Sequence, residues 1–141
     1  AYHVVKASAL GAKRETVALH MTSTPGASSI YPPNLQMIQR YAMTAPVPTQ
    51  ETIDISVEPL DEVLNAHIDD EISWGEIIKI DTQGAELGIL KGASETLKNT
   101  TLALFVEVEF LEIYEGQPLF SEVELFLRAQ GFAFYGFHTV H

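Results

Sequence analysis

The feature that most constrains this chain is the regular alternation of apolar, strand-like runs with short amphipathic helices from residue 53 onward. Ile53, Ile55 and Val57 alternate with Asp54 and Ser56, the period of a half-buried strand. Leu60, Val63 and Leu64 give a short helix that fades into an acidic loop around Asp69 to Glu71. Residues 76–80, Glu-Ile-Ile-Lys-Ile, read as a buried strand ending at Asp81. A helix over 84–91 follows, with Leu87 and Leu90 on one side, then a further helical turn over 93–98. Residues 102–109 make the next strand, apolar until its end. Ser121-Glu122-Val123-Glu124 has the pattern of a capping box, with Phe120 and Leu125 placed as its hydrophobic staple. Val123, Phe126 and Leu127 form the buried stripe of that helix, and Gly131 suits the position just past its end. The aromatic run 132–137 predicts a final buried strand. Apolar strands separated by helices imply right-handed crossovers, hence an α/β fold whose sheet is mostly parallel with helices on both faces.

The first third is less regular. Residues 3–6 and 16–21 read as strands, joined through small residues and a polar turn. From 22 to 50 the prolines at 25, 32, 33, 46 and 48 interrupt any periodicity, so this is a long loop with at most a helical turn around 36–41. Loops of that length inside a compact domain are functional lids or unstructured segments. The 141 residues form one domain, 1–141, large enough to bury a core. Nineteen acids against eight bases give a net charge of −11, which would repel a phosphate backbone, so no nucleic-acid partner is expected. No apolar run approaches the ~20 residues that cross a bilayer, and residues 1–10 lack a basic start followed by an apolar block. No membrane association and a cytoplasmic location are therefore expected. The absence of cysteine excludes disulfides, thiolate zinc and a cysteine nucleophile.

Ligands of open parallel sheets bind beyond the carboxyl ends of the strands. That rule selects Asp81, where the strand gives way to Thr82-Gln83-Gly84, and Glu107 with Glu109, which share one face at the end of the following strand. Gly84 would let the backbone turn into its helix, and Glu86 lies in the first turn. Three carboxylates at one edge can bind a metal, act as a general base, or hydrogen-bond a ligand. Each also has a plain structural role: Asp81 as an N-cap, Glu86 as a charge favourable to the helix dipole, the glutamates as solvated strand ends. His3, His20, His67, His138 and His141 show no metal-ligand spacing, so no metal site is expected from them.

The stretch from Ile78 to Ala93, Ile-Lys-Ile-Asp-Thr-Gln-Gly-Ala-Glu-Leu-Gly-Ile-Leu-Lys-Gly-Ala, resembles the signature of FkbM-type methyltransferases. The strand Leu104-Phe105-Val106-Glu107-Val108-Glu109 is similar to the family's next strand, and residues 57–64 resemble the family's strand followed by a Leu-Asp pair. The resemblance implies a Rossmann-like fold, S-adenosylmethionine as cofactor, and methyl transfer to a hydroxyl of a sugar or other small molecule. It carries Asp81 and Glu107 over as catalytic candidates and Gly84 and Glu86 as cofactor-binding candidates. Ser8 and Ala9, following the first strand, would lie near the adenine by position. The family's Gly-rich turn and its ribose-binding acid have no counterpart in this sequence, so the N-terminal strands of the fold are missing and weak cofactor binding is expected. Loss of those strands would expose a sheet edge, so self-association into a homo-oligomer is expected. The alternative reading is a non-catalytic interaction or dimerisation domain derived from the same fold.

Overall fold

The computed structural model describes residues 7–43, 48–66 and 74–138. The expected strand at 3–6, the acidic loop at 69–71, and His3, His67 and His141 lie outside them. Five strands, β1 (Ala9–Leu10), β2 (Glu15–Thr22), β3 (Thr49–Glu58), β4 (Ile77–Ile80) and β5 (Ala103–Val106), alternate with five helices. These are α1 (Leu35–Arg40), α2 (Leu60–Asn65), α3 (Glu86–Lys91), α4 (Ser94–Asn99) and α5 (Phe120–Ala129), with a 3-10 turn at Pro25–Ala27. No helix among the described residues is long and apolar enough to cross a membrane.

The architecture is mixed α/β, and the expectation of one mostly parallel sheet is corrected. Two small sheets form instead. In the first, the order is β1-β3-β2, with β1 parallel and β2 antiparallel to β3. The antiparallel pairing of β2 with β3 follows from the chain doubling back through the 22–50 segment, a return that needs no crossover helix. In the second sheet β4 and β5 run parallel, Ile77 opposite Ala103 and Ile80 opposite Val106.

Among the described residues, one face of the β4–β5 sheet carries no helix. Side chains alternate along a strand: Ile78 and Ile80 turn into the core beside Leu104 and Val106, while Ile77 and Phe105 on the other side are 70% and 54% exposed. Among the described residues the core of this sheet lies on one side, where Leu87, Ile89 and Leu90 of α3, Leu97 of α4 and Val123 of α5 meet β4. Leu90 is fully buried at its centre; burying such a side chain is worth about 1.5–3 kcal/mol.

Two caps fix the helices that frame this core. Asp61, near the start of α2, reaches across to α4. Its Oδ2 accepts from Glu95 N at 2.9 Å, and its Oδ1 from Thr96 N at 2.9 Å and Thr96 Oγ1 at 2.6 Å. Helix α5 starts two residues earlier than the Ser121 pattern suggests. Leu119 is its N-cap, and Glu122 Oε2 accepts from Leu119 N at 3.0 Å. Leucine has no side-chain acceptor, so only the glutamate half of a capping box is made, and Phe120 is already inside the helix. The C-terminus is as the sequence predicts. Gly131, at φ +96°, follows the last turn, with Phe132 N donating to Leu127 O at 3.1 Å and Gly131 N to Arg128 O at 3.0 Å.

Residues 132–137 do not form the expected final strand. Phe134 and Phe137 fold back onto Phe110 and Phe120, with ring centroids 4.9–5.5 Å apart. A strand needs a backbone partner, whereas a run with alternate phenylalanines can satisfy its apolar side chains by ring packing alone.

Candidate active site

The parallel ladder of β4 and β5 runs one rung past the strands, Glu107 N donating to Ile80 O at 2.9 Å. That rung sets Asp81 and Glu107 side by side at the carboxyl edge, the adjacency on which the sequence reading depended. Asp81 does not cap α3. Its Oδ2 accepts from Lys79 Nζ at 3.0 Å, the two side chains sharing one side of the strand end, and its Oδ1 lies 3.5 Å from Gln83 Nε2. The first turn of α3 is secured by Glu86, whose Oε1 accepts from Thr82 N at 2.8 Å and Thr82 Oγ1 at 3.0 Å. Glu86 is itself buried.

Between strand and helix the backbone turns through two successive left-handed residues, Gln83 at φ +57° and Gly84 at φ +103°. Only glycine takes the second position readily. A Cβ there would also stand 3.2 Å from the Gln117 Cβ and 3.3 Å from the Tyr31 ring. Gly84 is thus buried beneath these side chains, and Gln83 faces the carboxylates. Gln83 Nε2 donates to Glu107 Oε2 at 2.8 Å.

Residues 27–34, within the stretch read as a long loop, are part of the site. Asn34 N donates to Ile113 O and Glu115 N to Pro32 O, both at 2.8 Å, tying this segment to the stretch between β5 and α5. Ser29 Oγ donates to the Gln83 carbonyl at 2.6 Å, and Tyr114 Oη lies 2.9 Å from Ala27 O and 3.1 Å from Gln83 Oε1. Sequence reasoning missed Gln83, Ser29 and Tyr114. Gln83 carried a signal, a polar side chain two residues after the strand-ending acid, but Tyr114 meets Ala27 across 87 residues and no local pattern marks it.

Asp81, Glu86, Glu107 and Glu109 are close enough for their charges to interact, and Asp81, Glu107 and Glu109 separate in proton affinity. The hydrogen bond from Lys79 holds the Asp81 carboxyl below its usual range. Burial, then the hydrogen bond and charge of Asp81, then the charges of Glu109 and Glu86, push Glu107 up to about 7. Burial and the charge of Glu86 also raise Glu109. Burial and the neighbouring glutamates push Tyr114 up to about 12, so its hydroxyl remains a donor at neutral pH. Two adjacent carboxylates with opposed shifts divide into a charged group and a proton acceptor poised near neutrality.

Among the described residues, no three His, Asp or Glu side chains come together so as to hold a metal ion. Asp81, Glu107 and Glu109 therefore do not assemble as a ligand set. Ser8, exposed, donates to Glu58 Oε1 at 2.9 Å, and Glu58 also pairs with Arg14 at 2.9 Å. Ala9 belongs to β1, opposite Val57. An open, largely apolar groove of about 460 Å³ runs beside β4 from Leu10, Leu60 and Trp74 to Asp81 and Thr82.

The carboxylate pair stands at the carboxyl ends of two parallel strands, beside a helix start, which is where open α/β sheets as a class bind their ligands. The chain belongs to the FkbM methyltransferase family: the Methyltransferase FkbM domain model matches residues 3–134, nearly its whole length. No curated protein and no solved structure matches it.

Proposed function

We propose that this domain transfers a methyl group from S-adenosylmethionine to a hydroxyl of a sugar or other small molecule, with Glu107 as the general base and Asp81 orienting the acceptor, on a Rossmann-like framework. The observation that carries this reading is the division of labour between the two acids. A base for hydroxyl methylation works best with a proton affinity near the ambient pH. Glu107 sits at about 7. Asp81 stays charged beside Lys79 and can accept a hydrogen bond without taking the proton.

The residues fit the charged end of the cofactor. Asp81, Glu86, Glu107 and Glu109 produce a negative field at one edge, which favours a sulfonium cation. When bound, the cofactor supplies an electrophilic methyl group. Of the proposed cofactor contacts, the buried Glu86 contributes charge alone, the buried Gly84 shapes the turn into α3, and Ser8 stands just ahead of Ala9 in β1. Ser8 already gives its proton to Glu58, which leaves its lone pairs for a ligand donor.

The domain's own residues do the remaining work. Gln83 and Asp81 fix the direction of the acceptor hydroxyl, and Glu107 takes its proton as the oxygen becomes nucleophilic. Positioning supplies most of the rate. In the longest form of the protein that carries this domain, Glu107→Gln should reduce turnover by roughly 10²-fold or more. Asp81→Asn should lower it less and raise the acceptor KM. Equal turnover in wild type and Glu107→Gln would remove Glu107 from the chemistry.

A further inference from the structure

We propose that Gln83, locked by Tyr114 and Ser29, is a positioning residue that holds the Glu107 and Asp81 carboxylates in register by donating its amide N–H to them. The inference rests on the reading of Glu107 as the base for its consequence in catalysis, but its physical content stands on the ligand-free protein.

The geometry singles out Gln83. Its backbone is left-handed although it has a side chain, a conformation that persists only where the surroundings over-determine it. Three contacts do so here. Ser29, 1% exposed, grips the Gln83 carbonyl through Oγ. Gly84 turns the chain immediately after it. Tyr114, 2% exposed, places its hydroxyl 3.1 Å from Gln83 Oε1. A tyrosine hydroxyl has one proton, shared here between Ala27 O at 2.9 Å and Gln83 Oε1 at 3.1 Å, and the acceptor-only carboxylates on the other side take Nε2 as the end of the amide that faces them. Nε2 then donates to Glu107 Oε2 at 2.8 Å, with Asp81 Oδ1 at 3.5 Å. Residues 27–29 thereby act on the carboxylate pair through one side chain.

A hydrogen bond donated to a carboxylate favours its ionised form. The groups facing Glu107 from the surrounding elements are Asp81 after β4, Glu86 on α3, Glu109 further along its own segment, and Tyr114 before α5, with Lys79 acting through Asp81. All three acids disfavour ionisation of Glu107. The Gln83 amide is the neutral donor that opposes them, and without it Glu107 would hold its proton to higher pH.

The test is a ¹³C NMR titration of the Glu107 carboxyl carbon in the ligand-free protein, with the resonance assigned by its loss in Glu107→Gln. Gln83→Met keeps the length of the side chain and removes the donor, and should raise the Glu107 midpoint by roughly 0.5–1 pH unit. Tyr114→Phe should shift it in the same direction by less. The double variant should shift it no further than Gln83→Met alone, because Tyr114 acts through Gln83. An unchanged or lowered midpoint in Gln83→Met would overturn the proposal, and so would full additivity of the two changes. Gln83 is only partly buried, so Gln83→Met decides the matter even where Tyr114→Phe fails to fold. If the midpoint shifts but Glu107→Gln retains full turnover, the base assignment fails and the positioning role of Gln83 stands. The converse pair of results separates them the other way.

Discussion

Replacing Glu107 by glutamine should make the domain more stable at alkaline pH and leave it unchanged in mild acid. In the folded protein Glu107 titrates at about 7 rather than at 4.5. Between those values the native state holds a proton that the unfolded chain has released, so the stability of the wild type falls as pH rises through this window. Above about 7 the whole penalty of ionising Glu107 is present. Taken at face value, a displacement of about 2.5 units corresponds to about 3.4 kcal/mol. Glu107 is exposed, and screening by solvent brings the expected effect to about 1 kcal/mol. Asp81 has the opposite sign. Its lowered proton affinity stabilises the fold above about pH 4 and is lost only as pH falls through its folded value, below the window of interest. Urea unfolding of wild type and Glu107→Gln at pH 5 and pH 8 isolates the Glu107 contribution. The two proteins should unfold together at pH 5, and the variant should be more stable by about 1 kcal/mol at pH 8. A difference that is the same at both pH values, or a less stable variant at pH 8, would refute the reasoning.

Asp61→Ala removes three hydrogen bonds that hold the first turn of α4 and should cost about 2 kcal/mol in urea unfolding, with little change in the Glu107 midpoint. Gly84→Ala forces a side chain into a left-handed residue beneath Tyr31 and Gln117. It should cost more than about 1 kcal/mol, seen as a lowered thermal midpoint. We expect self-association, because Ile77, Leu102 and Phe105 are exposed and, among the described residues, β4 and β5 pair only with each other. Sedimentation should show an apparent mass that rises with concentration and falls again in Phe105→Lys.

The strand and helix positions of the second half were legible because burial there follows local periodicity. Ile78 and Ile80 point inward on a period of two, and Leu87 and Leu90 share one side of α3. The adjacency of Asp81 and Glu107 was legible for the same reason, since each directly follows a strand and the strands are neighbours. The final aromatic run misled because periodicity shows which side chains seek burial but not whether a partner strand exists. Ser121 misled because a serine near a helix start is a cap only if its own backbone leaves the helix there, and Glu122 instead reaches back to Leu119 N. The sheets are smaller than the pattern implied, since β2 joins β3 antiparallel by a return no local signal announces. The locking of Gln83 was beyond the sequence because Ser29 and Tyr114 reach it from 54 and 31 residues away.

The central claim is that Glu107, held near neutrality beside an ionised Asp81, takes the proton of the methyl acceptor. The pH dependence of kcat/KM for methyl transfer tests it most directly, measured in the longest form of the protein that carries this domain with an acceptor that is turned over. The account predicts a rise through an apparent pKa near 7 to a plateau above it, because the base must be ionised to act, and loss of that rise in Glu107→Gln. A flat profile between pH 5.5 and about 8.5, or the same rise persisting in Glu107→Gln, would contradict it.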